Sequence, residues 1–118
     1  MTPVPTGTEW IVDAHGCEPR LLRSREALEA LLAQVVEELG LQAAGEAQWR
    51  VFPGEGGVTG LLLLTESHLA CHTFPESGFA AFNLYCCRAR EDWPWRERLE
   101  RALGAREVAV RRIERGAP

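Results

Sequence analysis

From Phe79 to Cys87, in FAAFNLYCC, apolar and more polar side chains alternate without a break. Extended, this stretch places Ala80, Phe82, Leu84 and Cys86 on one apolar side and Ala81, Asn83, Tyr85 and Cys87 on the other. Such a strand asks for a sheet with one face against a core and for other elements to supply the covering layer.

The rest of the chain offers those elements. Glu9 to Ala14, EWIVDA, reads as a first strand ending at His15-Gly16. From Ser24 the period becomes helical, with Leu28, Leu31, Leu32, Val35 and Leu39 on one stripe, Ser24 as N-cap and Gly40 as stop. After an Ala/Gly-rich link, Gln48 to Phe52 and Val58 to Thr65 form a hairpin around the PGEGG turn at Pro53 to Gly57. The second of these is apolar on both faces, which predicts a central, covered strand. Leu69 to Phe74 and Phe79 to Cys87 are extended and separated by a turn at Pro75 to Gly78. Trp93 to Leu103 gives a second amphipathic helix with Pro94 near its first turn, and Glu107 to Ile113 a last strand. This order predicts an α+β fold: a two-layer sandwich of one antiparallel sheet with two helices on one face. At 118 residues it is one domain, with loose tails expected at Met1 to Gly7 and Gly116 to Pro118.

Composition excludes several functions. A net charge of -4 gives no basic excess for nucleic acid, and the arginines near the end, Arg111 and Arg112, read as a solvated strand face. No apolar run reaches membrane length. The N-terminal MTPVPTGTEW lacks the regions of a signal peptide, which points to the cytoplasm and to four free cysteines. All thirteen basic residues are arginine. Without lysine, neither a pyridoxal-phosphate Schiff base nor a P-loop can be built.

The densest chemistry lies in Glu66 to Glu76, ESHLACHTFPE. If it is extended, His68 and His72 share one face while Cys71 points to the other, so the two histidines and the cysteine do not converge on a metal. By the same parity Cys86 is a core residue and Cys87 the cysteine able to act.

Together these residues resemble the processing and active-site segment of the prokaryotic S-adenosylmethionine decarboxylases, E-S-H-L-x-x-H-T-W-P-E-x-G-x-A-A followed by an aromatic and a cysteine. The likeness runs without gaps from Glu66 to Cys87, and GTEWIVDAHGC, GVTG and the C-terminal segment up to ERG agree in order. The family makes its own carbonyl cofactor, so the resemblance implies that the Ser67 hydroxyl attacks the Glu66 carbonyl and cuts the chain into residues 1–66 and 67–118. The second piece would begin with a pyruvoyl group made from Ser67. His72 matches the base of that elimination, and Thr59 stands where a serine steadies the acyl shift. The substrate amine would then form a Schiff base with the pyruvoyl ketone, and Cys87 matches the proton donor. A thiol of ordinary pKa, about 8.5, is largely protonated at neutral pH, as a donor should be. Phe74 and Glu76 are candidates for the adenine and the sulfonium cation. A homodimer of processed protomers is implied, with each site between two copies.

The sequence departs from the family pattern at Phe74 for Trp, Asn83 for Asp, Arg88 for Gly, Glu9 for His and Trp49 for His. The PGEGG turn is also longer, which leaves the stacking aromatic unassigned between Val51 and Phe52. These differences bear on the substrate pocket, not on the processing set. Two other readings therefore stand beside this one: a pyruvoyl decarboxylase of ornithine or arginine, and an unprocessed ligand-binding paralogue.

Overall fold

A computed structural model describes residues 7–87 and 90–116. Among these, six strands form one antiparallel sheet: β1 (Gly7–His15), β2 (Gln48–Val51), β3 (Val58–Leu63), β4 (His68–Phe74), β5 (Phe79–Cys86) and β6 (Glu107–Arg115). Their order is β2-β3-β4-β5-β1-β6, so the first strand is inserted between β5 and β6. Helices α1 (Pro19–Leu22), α2 (Arg25–Glu38) and α3 (Trp95–Leu103) complete the chain. The predicted sandwich stands, with α1 added; four residues are too few for a period to be read. Gly7, expected in a loose tail, opens β1 opposite Arg115. The rest of the N-terminal tail, Ala117, Pro118 and Arg88 lie outside the described residues.

Both ends of α2 have a local chemical cause. The Ser24 Oγ accepts from the Ala27 N–H at 3.1 Å, capping α2. At its other end Gly40 adopts a φ of 65°, which lets the Leu41 N–H reach the Val36 carbonyl at 2.8 Å and the Gly40 N–H the Glu37 carbonyl. The buried stripe Leu28, Leu31, Leu32 and Val35 packs into one core with Trp95, Leu99 and Leu103 of α3. Glu38 ties the two helices, accepting from the indole of Trp93 at 2.8 Å and from Arg98 at 3.1 Å. Hydrogen bonds from Gln34, Trp93 and Arg98 hold its carboxyl below the usual range.

Both main helices cover the sheet face that carries Trp10, Val12, Leu69, Cys71, Phe82 and Leu84. Among the described residues the opposite face has no covering layer. β3 is therefore not a central strand covered on both sides: it lies second from the edge, and Leu61 and Leu63 are 49% and 64% exposed on the open face. The apolar pattern was legible, but only one of its two faces is covered within the chain. On the covered face Gly60 makes room for Trp49, whose ring would collide with any Cβ at that position.

Candidate active site

The open face carries the chemistry, in two clusters at opposite ends of β4. The first is built on the turn between β3 and β4. There the Leu64 N–H donates to the Ser67 carbonyl at 2.9 Å, leaving Thr65 and Glu66 as a two-residue loop. Neither has positive φ, so the turn is not of the primed type that such hairpins favour. The Glu66–Ser67 peptide thus lies at the tip of a hairpin, with Glu66 exposed and Ser67 half-buried. Cys87, just past β5, donates its S–H to the Glu66 carboxylate at 2.9 Å. Of the four cysteines only Cys87 is not buried, and all four are free thiols. Burial pushes the Cys17 and Cys71 thiols up to about 11 and also raises Cys86.

The second cluster is set by register. Thr59 lies opposite His72 across β3 and β4, and its Oγ1 is 3.0 Å from His72 Nδ1. Both line a cleft of about 470 Å³ with Phe52, Gly57, Phe74 and Glu76. Phe74 stacks on Phe79 with centroids 5.6 Å apart, and the Arg50 guanidinium lies over Phe52 at 5.1 Å. Behind the cleft the buried Thr73 hydroxyl donates to the Leu22 carbonyl at 2.7 Å and accepts from the Val58 N–H at 2.8 Å. Thr73 therefore fixes the start of β3, and so Thr59, against the strand that carries His72.

The structure brings together Thr59, His72, Phe74 and Glu76, and separately Glu66, Ser67 and Cys87. It does not bring the two groups into contact. Ser67 and His72 are five residues apart along an extended chain at about 3.3 Å per residue, which puts them about 16 Å apart. Phe52 is the residue left unassigned by the longer turn. Hairpin register could have found it: Arg50 pairs with Thr59, so Phe52, two residues on, shares the face of Thr59, while Val51 does not. The Phe52 N–H donates to the Gly57 carbonyl at 2.8 Å, closing a loop held by Arg23, whose Nε donates to the Glu55 carbonyl at 2.9 Å.

A third group on the same face was not anticipated. The His68 Nε2 is 2.8 Å from Asn83 Oδ1, and Asn83 Nδ2 donates to Glu9 Oε2 at 2.7 Å. Arg115 donates to the other oxygen of Glu9 at 2.5 Å. The Asn83 bond is the main cause that holds the Glu9 carboxyl below its usual range.

Comparison with known proteins extends this picture. The sequence model of the S-adenosylmethionine decarboxylase family matches residues 8–116. An S-adenosylmethionine decarboxylase proenzyme of Thermotoga petrophila is 34% identical over 112 residues, 93% of this chain and 84% of that one. The proenzyme of Picrophilus torridus is 31% identical over 116 residues, 97% of this chain and 87% of that one. Among solved structures, the adenosylmethionine decarboxylase from Aquifex aeolicus superposes with a TM-score of 0.81 over 98% of this chain and 95% of that one. At 24% identity that likeness speaks for the fold.

Proposed function

Because the chain belongs to the S-adenosylmethionine decarboxylase family, we propose that it is a self-cleaving, pyruvoyl-dependent decarboxylase of S-adenosylmethionine. Its product would be the aminopropyl donor for spermidine synthesis. The observation that carries this reading is that Glu66, Ser67 and Cys87 and, separately, Thr59, His72, Phe74 and Glu76 gather at the two ends of one sheet face that no layer covers among the described residues.

Cleavage is chemistry of the chain itself. The Ser67 Oγ attacks the Glu66 carbonyl, the C–N bond breaks, and an ester forms with the Ser67 nitrogen free as an amine. Removal of the Ser67 α-proton then expels the Glu66 carboxylate and leaves dehydroalanine, whose imine form water hydrolyses to pyruvoyl with loss of ammonia. The position of Ser67 suits this group: the Glu66–Ser67 peptide is at an accessible turn, and Cys87 is within a hydrogen bond of the Glu66 side chain. When bound to a substrate amine, the pyruvoyl carbonyl supplies the electron sink for loss of carbon dioxide. Cys87 holds the proton for the carbon left behind.

Because Ser67 and His72 lie about 16 Å apart along one extended stretch, we take His72 as a base supplied by a second copy. A twofold dimer through the open face presents Glu66, Ser67 and Cys87 of one protomer to Thr59, His72, Phe52, Phe74 and Glu76 of the other. It also buries Leu61 and Leu63, which a monomer leaves in water. In that arrangement Phe52 and Phe74 offer aromatic faces to an adenine and Glu76 a carboxylate to a sulfonium cation.

Intact mass of the purified protein beside Ser67→Ala tests the cleavage. Two fragments split at Glu66–Ser67, with the second blocked, are expected, and the variant stays whole; an uncut wild type refutes it. Mixing within one dimer tests the shared site. Ser67→Ala and His72→Ala are each inactive alone, but co-expressed they form heterodimers with one intact site and regain cleavage. No regain would place the whole site in one chain. Carbon dioxide release from S-adenosylmethionine, ornithine and arginine then decides the substrate.

A further inference from the structure

Glu9 and Asn83 are two of the positions at which this sequence departs from the family pattern, and the structure puts them in contact. The bonds around them run in one direction. Arg115 pairs with Glu9 at 2.5 Å and keeps it a carboxylate, which only accepts. The amide of Asn83 must then present its NH₂ to Glu9 and its oxygen to His68. An amide oxygen only accepts, so the ring nitrogen facing it, Nε2, carries the hydrogen. Nδ1 can be bare or protonated without breaking the chain.

The ring is fixed in a second way. His68 stacks on Tyr85 with centroids 6.0 Å apart and an interplanar angle of 22°, and Arg115 covers Tyr85 at 5.8 Å. The backbone of His68 pairs with Leu63 on one side and with Tyr85 on the other. Every element beside His68 thus constrains it: β3 through Leu63, β5 through Asn83 and Tyr85, and, one step further out, β1 through Glu9 and β6 through Arg115.

His68 is the residue whose amide nitrogen is bonded to the carbonyl of residue 67. We propose that Glu9 and Asn83 are positioning residues that act through His68, holding the 67–68 peptide in register with the reacting carbonyl by a one-way chain of hydrogen bonds from His68 to Glu9. This rests on Ser67 being the processed residue. The feature that matters is one donor facing one acceptor in the pair, in either order, and not a particular residue at either position.

Three variants test it: Asn83→Asp, Glu9→Gln and the double E9Q/N83D. Asn83→Asp sets two carboxylates against each other and is expected to slow self-cleavage at least tenfold. Glu9→Gln keeps an acceptor oxygen and is expected to stay within threefold of wild type. The double variant reverses the order: the new amide at position 9 donates to the new carboxylate at position 83, which also accepts from His68. It is expected to recover to within threefold. Thermal unfolding of each variant in a Ser67→Ala background separates loss of fold from loss of alignment. Asn83→Asp at wild-type rate, or a double variant as slow as Asn83→Asp, overturns the proposal. If the wild type is not cut at all, the cleavage reading falls instead. The ring ¹⁵N signals of His68 in the uncut chain then decide the hydrogen-bond chain: hydrogen on Nε2 in wild type, and its bonded shift lost in Asn83→Leu, upholds it, and an Nε2 without hydrogen overturns it.

Discussion

Thr73→Val removes a hydroxyl and changes little else in shape, so its cost can be worked from two hydrogen bonds. In the native fold that hydroxyl serves the Val58 N–H at 2.8 Å and the Leu22 carbonyl at 2.7 Å, and Val58, Leu22 and Thr73 are all buried. Valine leaves a donor and an acceptor without partners, at about 1–3 kcal/mol each, offset by roughly 1 kcal/mol from the added methyl. The net is a loss of about 3 kcal/mol, the middle of a range of about 1–5 kcal/mol, or on the order of 10 °C in melting temperature for a chain of this size. Thr73→Ser keeps the hydroxyl and gives up one methyl, costing about 1 kcal/mol. The assay is urea unfolding of the uncut chain in a Ser67→Ala background, so that one polypeptide unfolds in one step. Self-cleavage, measured with Ser67 intact well below the melting temperature, should slow in Thr73→Val and not in Thr73→Ser, because Val58 adjoins Thr59 and Thr73 adjoins His72. A valine variant as stable as the serine variant would refute the assignment of Thr73 as the clamp.

Other outcomes are expected elsewhere. Gly60→Ala should cost about 1–3 kcal/mol in denaturant unfolding because its Cβ meets the Trp49 ring, and adding Trp49→Leu should recover most of it. Alkylation of the folded protein at pH 8, followed by mass spectrometry, should modify Cys87 well before the three buried thiols. Cys17 and Cys71 have folded-state values near 11 against 9.0 for the ordinary thiol. The native state therefore keeps protons that the unfolded chain gives up, and the unfolding midpoint should fall as pH rises from about 9 toward 11. Leu63→Glu should leave the uncut chain folded, since its side chain points into water, yet yield monomers by light scattering and no self-cleavage.

The elements were legible wherever one face was buried. Alternation from Phe79 gave β5 its parity, and the Leu28 to Val35 stripe gave α2 its inner side. Ser24 and Gly40 marked the ends of that helix because their caps are local chemistry. The exposure of Leu61 and Leu63 was not legible, because hydrophobicity says that a face is to be covered and not whether the same chain covers it. Within the site, parity separated His68 and His72 from Cys71 and Cys87 from Cys86. What it could not give was distance along the strand as a constraint, which is what divides the site into halves. The Glu9–Asn83–His68 chain was hidden for another reason: β1 is inserted between β5 and β6, so residues far apart in sequence become neighbours only through that topology.

Strand order also decides what a cut at Glu66–Ser67 would do to the molecule as a whole. Strands β1, β2 and β3 belong to the first piece and β4, β5 and β6 to the second, yet in the sheet they interleave, with β1 between β5 and β6 and β4 against β3. The pieces could part only by opening three ladders at once. Held together they behave as one body, but after denaturation they must meet again in solution, so refolding turns from a first-order into a second-order event that depends on dilution. The precursor can fold as a single thread, whereas the mature protein would keep its shape by never having let go of it.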